Sequence, residues 1–219
     1  MKKSMRIVMA VAFGAFAAVS ACAKDRPSLA LEAGAVGSEK RYTTSSSGYP
    51  YTRTTFNPDI RLGIDLPITD IKETCFFGLK LAYDLSWEKY NSSSRSAYTD
   101  NTTLTHTISF LPELVFVKND LRLIFDTGIS FGINPYKTEK ETSSSKSSQE
   151  YKILQLLWTS GLALKYCLTD HFSAIAGLTV SVPFVTYYRN GSGNNYEDIL
   201  SVGRYSMNFC PRVGLSYMF

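Results

Sequence analysis

The stretch RLIFDTGISFG, residues 122–132, carries two kinds of residue in alternation. Leu123, Phe125, Ile129 and Phe131 are apolar. Arg122, Asp126, Gly128 and Gly132, which fall between them, are charged or lack a side chain. A strand sends successive side chains to opposite faces, so this stretch reads as a strand with one greasy face and one ionic face. Seven further stretches repeat the pattern, within residues 29–35, 60–66, 77–87, 108–116, 158–166, 172–184 and 205–219. The longest uninterrupted apolar run beyond residue 23 is Leu114–Val117, far short of the ~20 residues a membrane helix needs.

The second face of these strands collects Glu32, Asp59, Arg61, Asp65, Lys80, Asp84, Glu113, Arg122, Asp126, Lys165, Arg204 and Arg212. Gly34, Gly63, Gly78, Gly128, Gly132, Gly161, Gly177 and Gly214 share it. The connections alternate as well. Long polar segments (38–55, 88–103, 134–150 and 189–198) are expected as loops at one end, and short turns (67–74, 117–120 and 168–171) at the other. Eight antiparallel strands with this rhythm make an up-and-down β-barrel, with two possible orientations of the apolar face. Facing inward, it would line a soluble lipocalin-type carrier; facing outward, it would meet lipid.

Two features select the outward solution. Glycines beside long charged residues suit the narrow interior of an eight-stranded barrel, which side chains just fill. The aromatics also divide. Phe77, Phe116, Tyr166, Phe172 and Tyr217 fall near the short turns, whereas Trp87, Phe131, Trp158, Phe184 and Tyr205 fall near the long connections. Two such belts are expected at the two lipid–water boundaries.

Ahead of this domain, residues 1–23 have the basic, apolar and small-residue order of a secretory signal peptide, with Ala21 and Ala23 at the cleavage site. The apolar stretch is too short to span a bilayer. Val19-Ser20-Ala21-Cys22 also resembles a lipobox, which would acylate Cys22. The barrel domain is then residues 24–219. Lys2, Lys3 and Arg6 supply three of the four net positive charges, leaving +1 on that domain and no basic footprint for nucleic acid. Cys75, Cys167 and Cys210 are odd in number and lack C-x-x-C spacing, so neither a disulfide framework nor a metal site is expected. No cofactor motif is found; Gly191-Ser192-Gly193 precedes no helix and reads as a loop tip.

The ending Val213, Leu215, Tyr217 and Phe219 alternates up to a terminal Phe. It resembles the C-terminal assembly signal of outer-membrane barrels, which implies insertion by a barrel-assembly machinery. As a whole, the domain resembles the small eight-stranded family of OmpX, OmpW and the OmpA membrane domain. The resemblance implies a monomer in the bacterial outer membrane with both termini in the periplasm. It also implies either a structural or interaction role, with polar loops meeting a host or cell-surface ligand, or a narrow OmpW-like channel for small apolar solutes. Pro112, Pro183 and Pro211 lie inside proposed strands, where each removes a ladder hydrogen bond; bulges or strand ends are expected to absorb them.

Catalysis is weakly signalled. His171-Phe172-Ser173 has the His-x-Ser spacing that resembles an outer-membrane lipid A deacylase, but it falls in a short turn. His106 has no carboxylate placed to orient it. No catalytic residue is assigned. Six acids among six bases in a tube are expected to pair as a plug, with Arg61, Arg122 and Arg212 as anchors.

Overall fold

The computed structural model describes residues 26–43, 50–94, 97–142, 145–190, 197–198 and 207–219. The leader with Ala21, Cys22 and Ala23, and also Arg204 and Tyr205, lie outside the described residues. The chain forms β1 (Ser28–Thr43), β2 (Pro50–Lys72), β3 (Cys75–Ser94), β4 (Ala97–Lys118) and β5 (Leu121–Thr142). There follow β6 (Ser145–Cys167), β7 (Phe172–Asn190), the two-residue β8 (Glu197–Asp198) and β9 (Asn208–Met218). Each long strand pairs antiparallel with its neighbour, β7 pairs with β9, and β9 pairs with β1, so eight strands close into a ring. Among the described residues the short β8 pairs with β7. Closure leaves no sheet edge along the paired stretches.

Following cross-strand partners once round the ring from Ser28, through Asp65, Lys80, Thr159, Ser181 and Asn208, comes back to Ser38, a stagger of ten residues. Stagger and strand number together tilt the strands and set the interior to side-chain width. Tight turns close the short end: Glu73-Thr74, Asn119-Asp120 and residues 168–171. Asn119 takes φ 53°, a left-handed conformation that Asn tolerates better than other residues with a side chain. The segment leading into β1 meets the end of β9 there, where the Phe219 N–H donates to the Pro27 carbonyl at 3.1 Å.

At the other end the structure corrects the expectation of loops. Pairing continues to Thr43↔Pro50, Ser94↔Ala97 and Thr142↔Ser145. Residues 38–43, 50–55, 88–94, 97–103, 134–142 and 145–150 are strand extensions, and β3, β4, β5 and β6 project together as a wall. Their sequence carries no hydrophobic period, although their backbone pairs in register.

The prolines sit where pairing is broken. The β4–β5 ladder lapses at Leu111 and Pro112, between Phe110↔Ile129 and Glu113↔Asp126. A Cβ on Gly128 would overlap the Phe110 carbonyl oxygen there, so only glycine admits the approach. The β1–β9 ladder lapses at Cys210 and Pro211, opposite Ala35 and Val36. Pro183 stands at a bulge, where Leu156 pairs with Val185 but Leu157 pairs with Pro183.

The faces are inside out relative to a soluble protein. Leu31, Phe110, Ile129, Trp158, Leu164, Val213 and Leu215 are exposed, whereas Asp59, Arg61, Glu113 and Lys165 are each 3% exposed or less. The outward residues of β3 run from Phe77 to Trp87, about 33 Å along the strand and about 25 Å high at a tilt of ~40°. That matches the apolar band of a transmembrane barrel, with aromatics at both margins.

Candidate functional site: a charge-bridged lumen

Eleven of the twelve second-face charges have described side chains. All are buried except Arg122, which is half-buried. Adjacent strands place some of them in direct register: Glu32↔Arg61, Arg61↔Asp84 and Asp65↔Lys80. Others reach across the lumen.

The first cluster centres on two guanidinium groups. Arg61 on β2 donates Nε–H to Asp84 Oδ1 at 2.6 Å and Nη2–H to Oδ2 at 3.0 Å, a bidentate fork. Arg212 on β9 donates to Asp59 Oδ1 at 2.7 Å and also to Asp84 Oδ1 at 2.9 Å. Both arginines donate to the Thr179 hydroxyl on β7, at 3.2 and 2.8 Å. The Cys210 thiol points at Asp59 Oδ1, 3.6 Å away.

The second cluster is built on lysines. Lys80 Nζ lies 3.2 Å from Asp126 Oδ2 and 3.7 Å from Asp65 Oδ1. Lys165 Nζ lies 3.5 Å from Asp65 Oδ2 and donates to Ser28 Oγ at 2.7 Å. Ser28 in turn donates to Asp65 Oδ2 at 2.9 Å. Strands β2 and β6 are opposite each other in the ring, so the Lys165–Asp65 pair spans the full width of the tube.

Cross-strand glycines make room for the long side chains. Gly78 faces Glu113, Gly161 faces Asp126, Gly34 faces Arg212 and Gly214 faces Glu32. A Cβ on Gly78 would lie 2.6 Å from Glu113 Oε1, and one on Gly34 would lie 2.6 Å from Arg212 Cγ. At Gly214 a Cβ would overlap the Leu31 carbonyl and lie 2.7 Å from Glu32 Cα, whereas at Gly63 its nearest neighbour is 3.9 Å away. Gly214→Ala should therefore cost about 1–3 kcal/mol of stability through overpacking. Gly63→Ala should be neutral or slightly stabilising, because alanine restricts the unfolded chain more than glycine does. Urea unfolding in detergent or vesicles, followed by the heat-modifiable gel shift, would compare them. Equal midpoints would refute the packing account.

Sequence reading had not anticipated three interior features. Thr179 and Ser28 complete the clusters and share the parity of the charged positions, which was the available signal. A ladder of hydroxyls joins Ser109, Ser130, Thr159 and Ser181 across four strands, at 2.7, 2.7 and 3.0 Å. Toward the short turns the interior becomes apolar, where Phe76, Val115, Ile124 and Ile175 pack together with Ala30 and Ala163. The run Leu114–Val117, apolar on both faces, is its trace in the sequence.

Between that layer and the lysine cluster lies a cavity of about 10 Å³, bordered by Asp65, Glu113, Arg122, Lys165 and the apolar Phe76 and Val115. One water would fill it. Glu113 Oε2 is buried beside it and has no hydrogen-bond partner in the protein.

The catalytic candidates are not brought together. His171 Nδ1 is 3.0 Å from the Met218 carbonyl, and its ring stacks on Tyr217. Ser173 is fully buried and donates to Cys167 Sγ at 3.6 Å. His106 lies on the outward face with Nδ1 2.6 Å from the Tyr83 hydroxyl. Cys75, Cys167 and Cys210 are all free thiols. Among the described residues no group of His, Cys, Asp and Glu is placed to hold a metal ion. Val213, Leu215, Tyr217 and Phe219 all point outward, with Tyr217 packed edge-on against Phe172 and Phe219.

No protein-family model matches the chain, and no curated protein matches it. Solved structures do. One is Ail, the attachment invasion locus protein of Yersinia pestis, 13% identical over 89% of this chain and 99% of that one, with a TM-score of 0.46. Another is Neisserial surface protein A, 12% identical over 88% and 97%, at 0.44. A third is the outer-membrane protease OmpT of Escherichia coli, 10% identical over 89% and 97%, at 0.47. The chain is thus similar to outer-membrane β-barrels whose sequences it barely shares.

Proposed function

We propose that this protein is an integral barrel of the bacterial outer membrane, with both termini periplasmic and a closed lumen. Its function is then exercised by the projecting end, not by transport. One observation carries the reading: apolar residues cover the outside while ion pairs cross the full width of the inside. A buried charge must be paired, and here the pairs join opposite walls, so paired side chains occupy the space a solute would need.

The β3–β6 wall and the β1–β2 ribbon rise beyond the aromatic margin, and their Ser, Thr, Asn and Tyr content suits polar contact with a host or cell-surface ligand. The reading includes no catalytic step, since His171 and Ser173 engage different partners. Val213, Leu215, Tyr217 and Phe219 serve as the signal to the assembly machinery.

Two measurements test the proposal. Purified protein in planar bilayers should give no steady conductance; regular openings would replace the closed lumen with the narrow-channel reading. Protease applied to intact cells should cut within residues 38–55 and 134–150 and leave the rest of the chain protected. Cleavage at 73–74 or 119–120 instead would reverse the orientation.

A further inference from the structure

The outward face is apolar over most of its height, and His106 and Tyr83 interrupt it as a bonded pair. The Tyr83 hydroxyl lies 2.6 Å from His106 Nδ1, with ring centres 6.1 Å apart. His106 stands directly opposite Leu85 on β3 and Ile133 on β5, so apolar residues flank it on both sides. Its depth follows from register. Leu104, two residues along β4, faces Trp87, which belongs to the aromatic margin at the projecting end. Two residues of a tilted strand lower His106 about 5 Å beneath that margin. That is the depth at which lipid headgroups give way to acyl chains.

The chemistry of the pair depends on its surroundings. If Nδ1 carried the proton, it would donate to the phenol oxygen. The Tyr83 proton and the bare Nε2 would then both need partners, and Nε2 would need a donor. If Tyr83 donates to Nδ1, the neutral ring carries its proton on Nε2, and one donor is left over. Ester carbonyls and phosphates at this depth are acceptors, so the second arrangement is the one the bilayer can complete. An unmet N–H in hydrocarbon is strongly disfavoured.

We propose that the Nε2–H of His106 binds an acceptor oxygen, ester carbonyl or phosphate, of one lipid in the leaflet at the projecting end. Tyr83 acts as the positioning residue that fixes the tautomer. Trp87, 40% exposed, and Ile133, 38% exposed, offer flanking surface to the same lipid's upper acyl chain. This inference rests on the membrane reading above.

The test uses the full mature barrel with ¹⁵N-histidine in bilayers of carbonyl-¹³C lipid, examined by solid-state NMR. The chain has two histidines, and His171→Gln assigns the signals. A hydrogen bond with N···O ~3 Å should produce dephasing of His106 Nε2 by carbonyl ¹³C or by ³¹P, and whichever nucleus acts names the oxygen. Tyr83→Phe should mix the tautomers and reduce that contact severalfold. Contact between Ile108 and acyl methylenes, with no dephasing of Nε2 from either nucleus, would overturn the site and leave the membrane reading standing. Loss of both contacts would overturn the site and the membrane reading together. Unchanged tautomer and contact in Tyr83→Phe would remove Tyr83 from the role.

Discussion

Arg212→Ala should destabilise the barrel by about 3–5 kcal/mol, read as a lower urea midpoint in vesicles, with little change in the apolar belt. The guanidinium serves three partners at once: Asp59, Asp84 and Thr179. Truncation leaves Asp59, itself 2% exposed, with a weak thiol contact among the described residues, and weakens the support of Asp84. Removing one member of a buried pair costs more than the pair is worth intact, because the remaining charge stays out of water. A second substitution separates this account from simple loss of volume. Adding Asp59→Asn to Arg212→Ala removes the stranded charge and should recover part of the loss. If the double variant is as weak as the sum of the two single ones, the pairing is not the source of stability.

The same residues show where sequence reading succeeds and where it stops. That Arg212 and Asp84 share the inner face follows from parity alone, and the surrounding glycines mark that face as crowded. That Arg212 meets Asp84, three strands away round the ring, depends on the ten-residue stagger, which arises from the turn lengths and from the register shifts between β2 and β3 and between β6 and β7. No local pattern encodes it. Lys165 reaching Asp65 across the diameter is a further case. Arg122 occupies a different level of the lumen. Its parity groups it with the anchors, yet its place near the short-turn mouth leaves it half-buried beside the cavity and in direct register with Lys165. The polar extensions of β3 to β6 read as loops because their sequence carries no hydrophobic period, and backbone pairing alone leaves no such trace. The apolar layer of Phe76, Val115, Ile124 and Ile175 was missed for the complementary reason, since a strand apolar on both faces has no period either.

Phe110→Arg tests the outer face, and its sign distinguishes the two ways an alternating barrel can be turned. Phe110 is 57% exposed and lies midway along the outward set of β4, between Leu104 and Phe116, with Leu81 and Ile129 opposite it. In a bilayer that position is near the midplane, where an arginine costs about 2–4 kcal/mol. The same substitution at Leu104, close to the aromatic margin, should cost only about 0–1 kcal/mol, because its guanidinium can reach the headgroups. The expected result is therefore a gradient with depth, measured as unfolding free energy in vesicles. For a barrel standing in water with these residues exposed, both substitutions would be near neutral and would raise solubility. Depth dependence in this sense follows from hydrocarbon around the ring, since both positions face outward and are exposed, Phe110 the more so, yet Phe110 is the one expected to cost more. A flat response at the two sites would remove the lipid from the outside of this barrel, and with it the reason for placing the charges within.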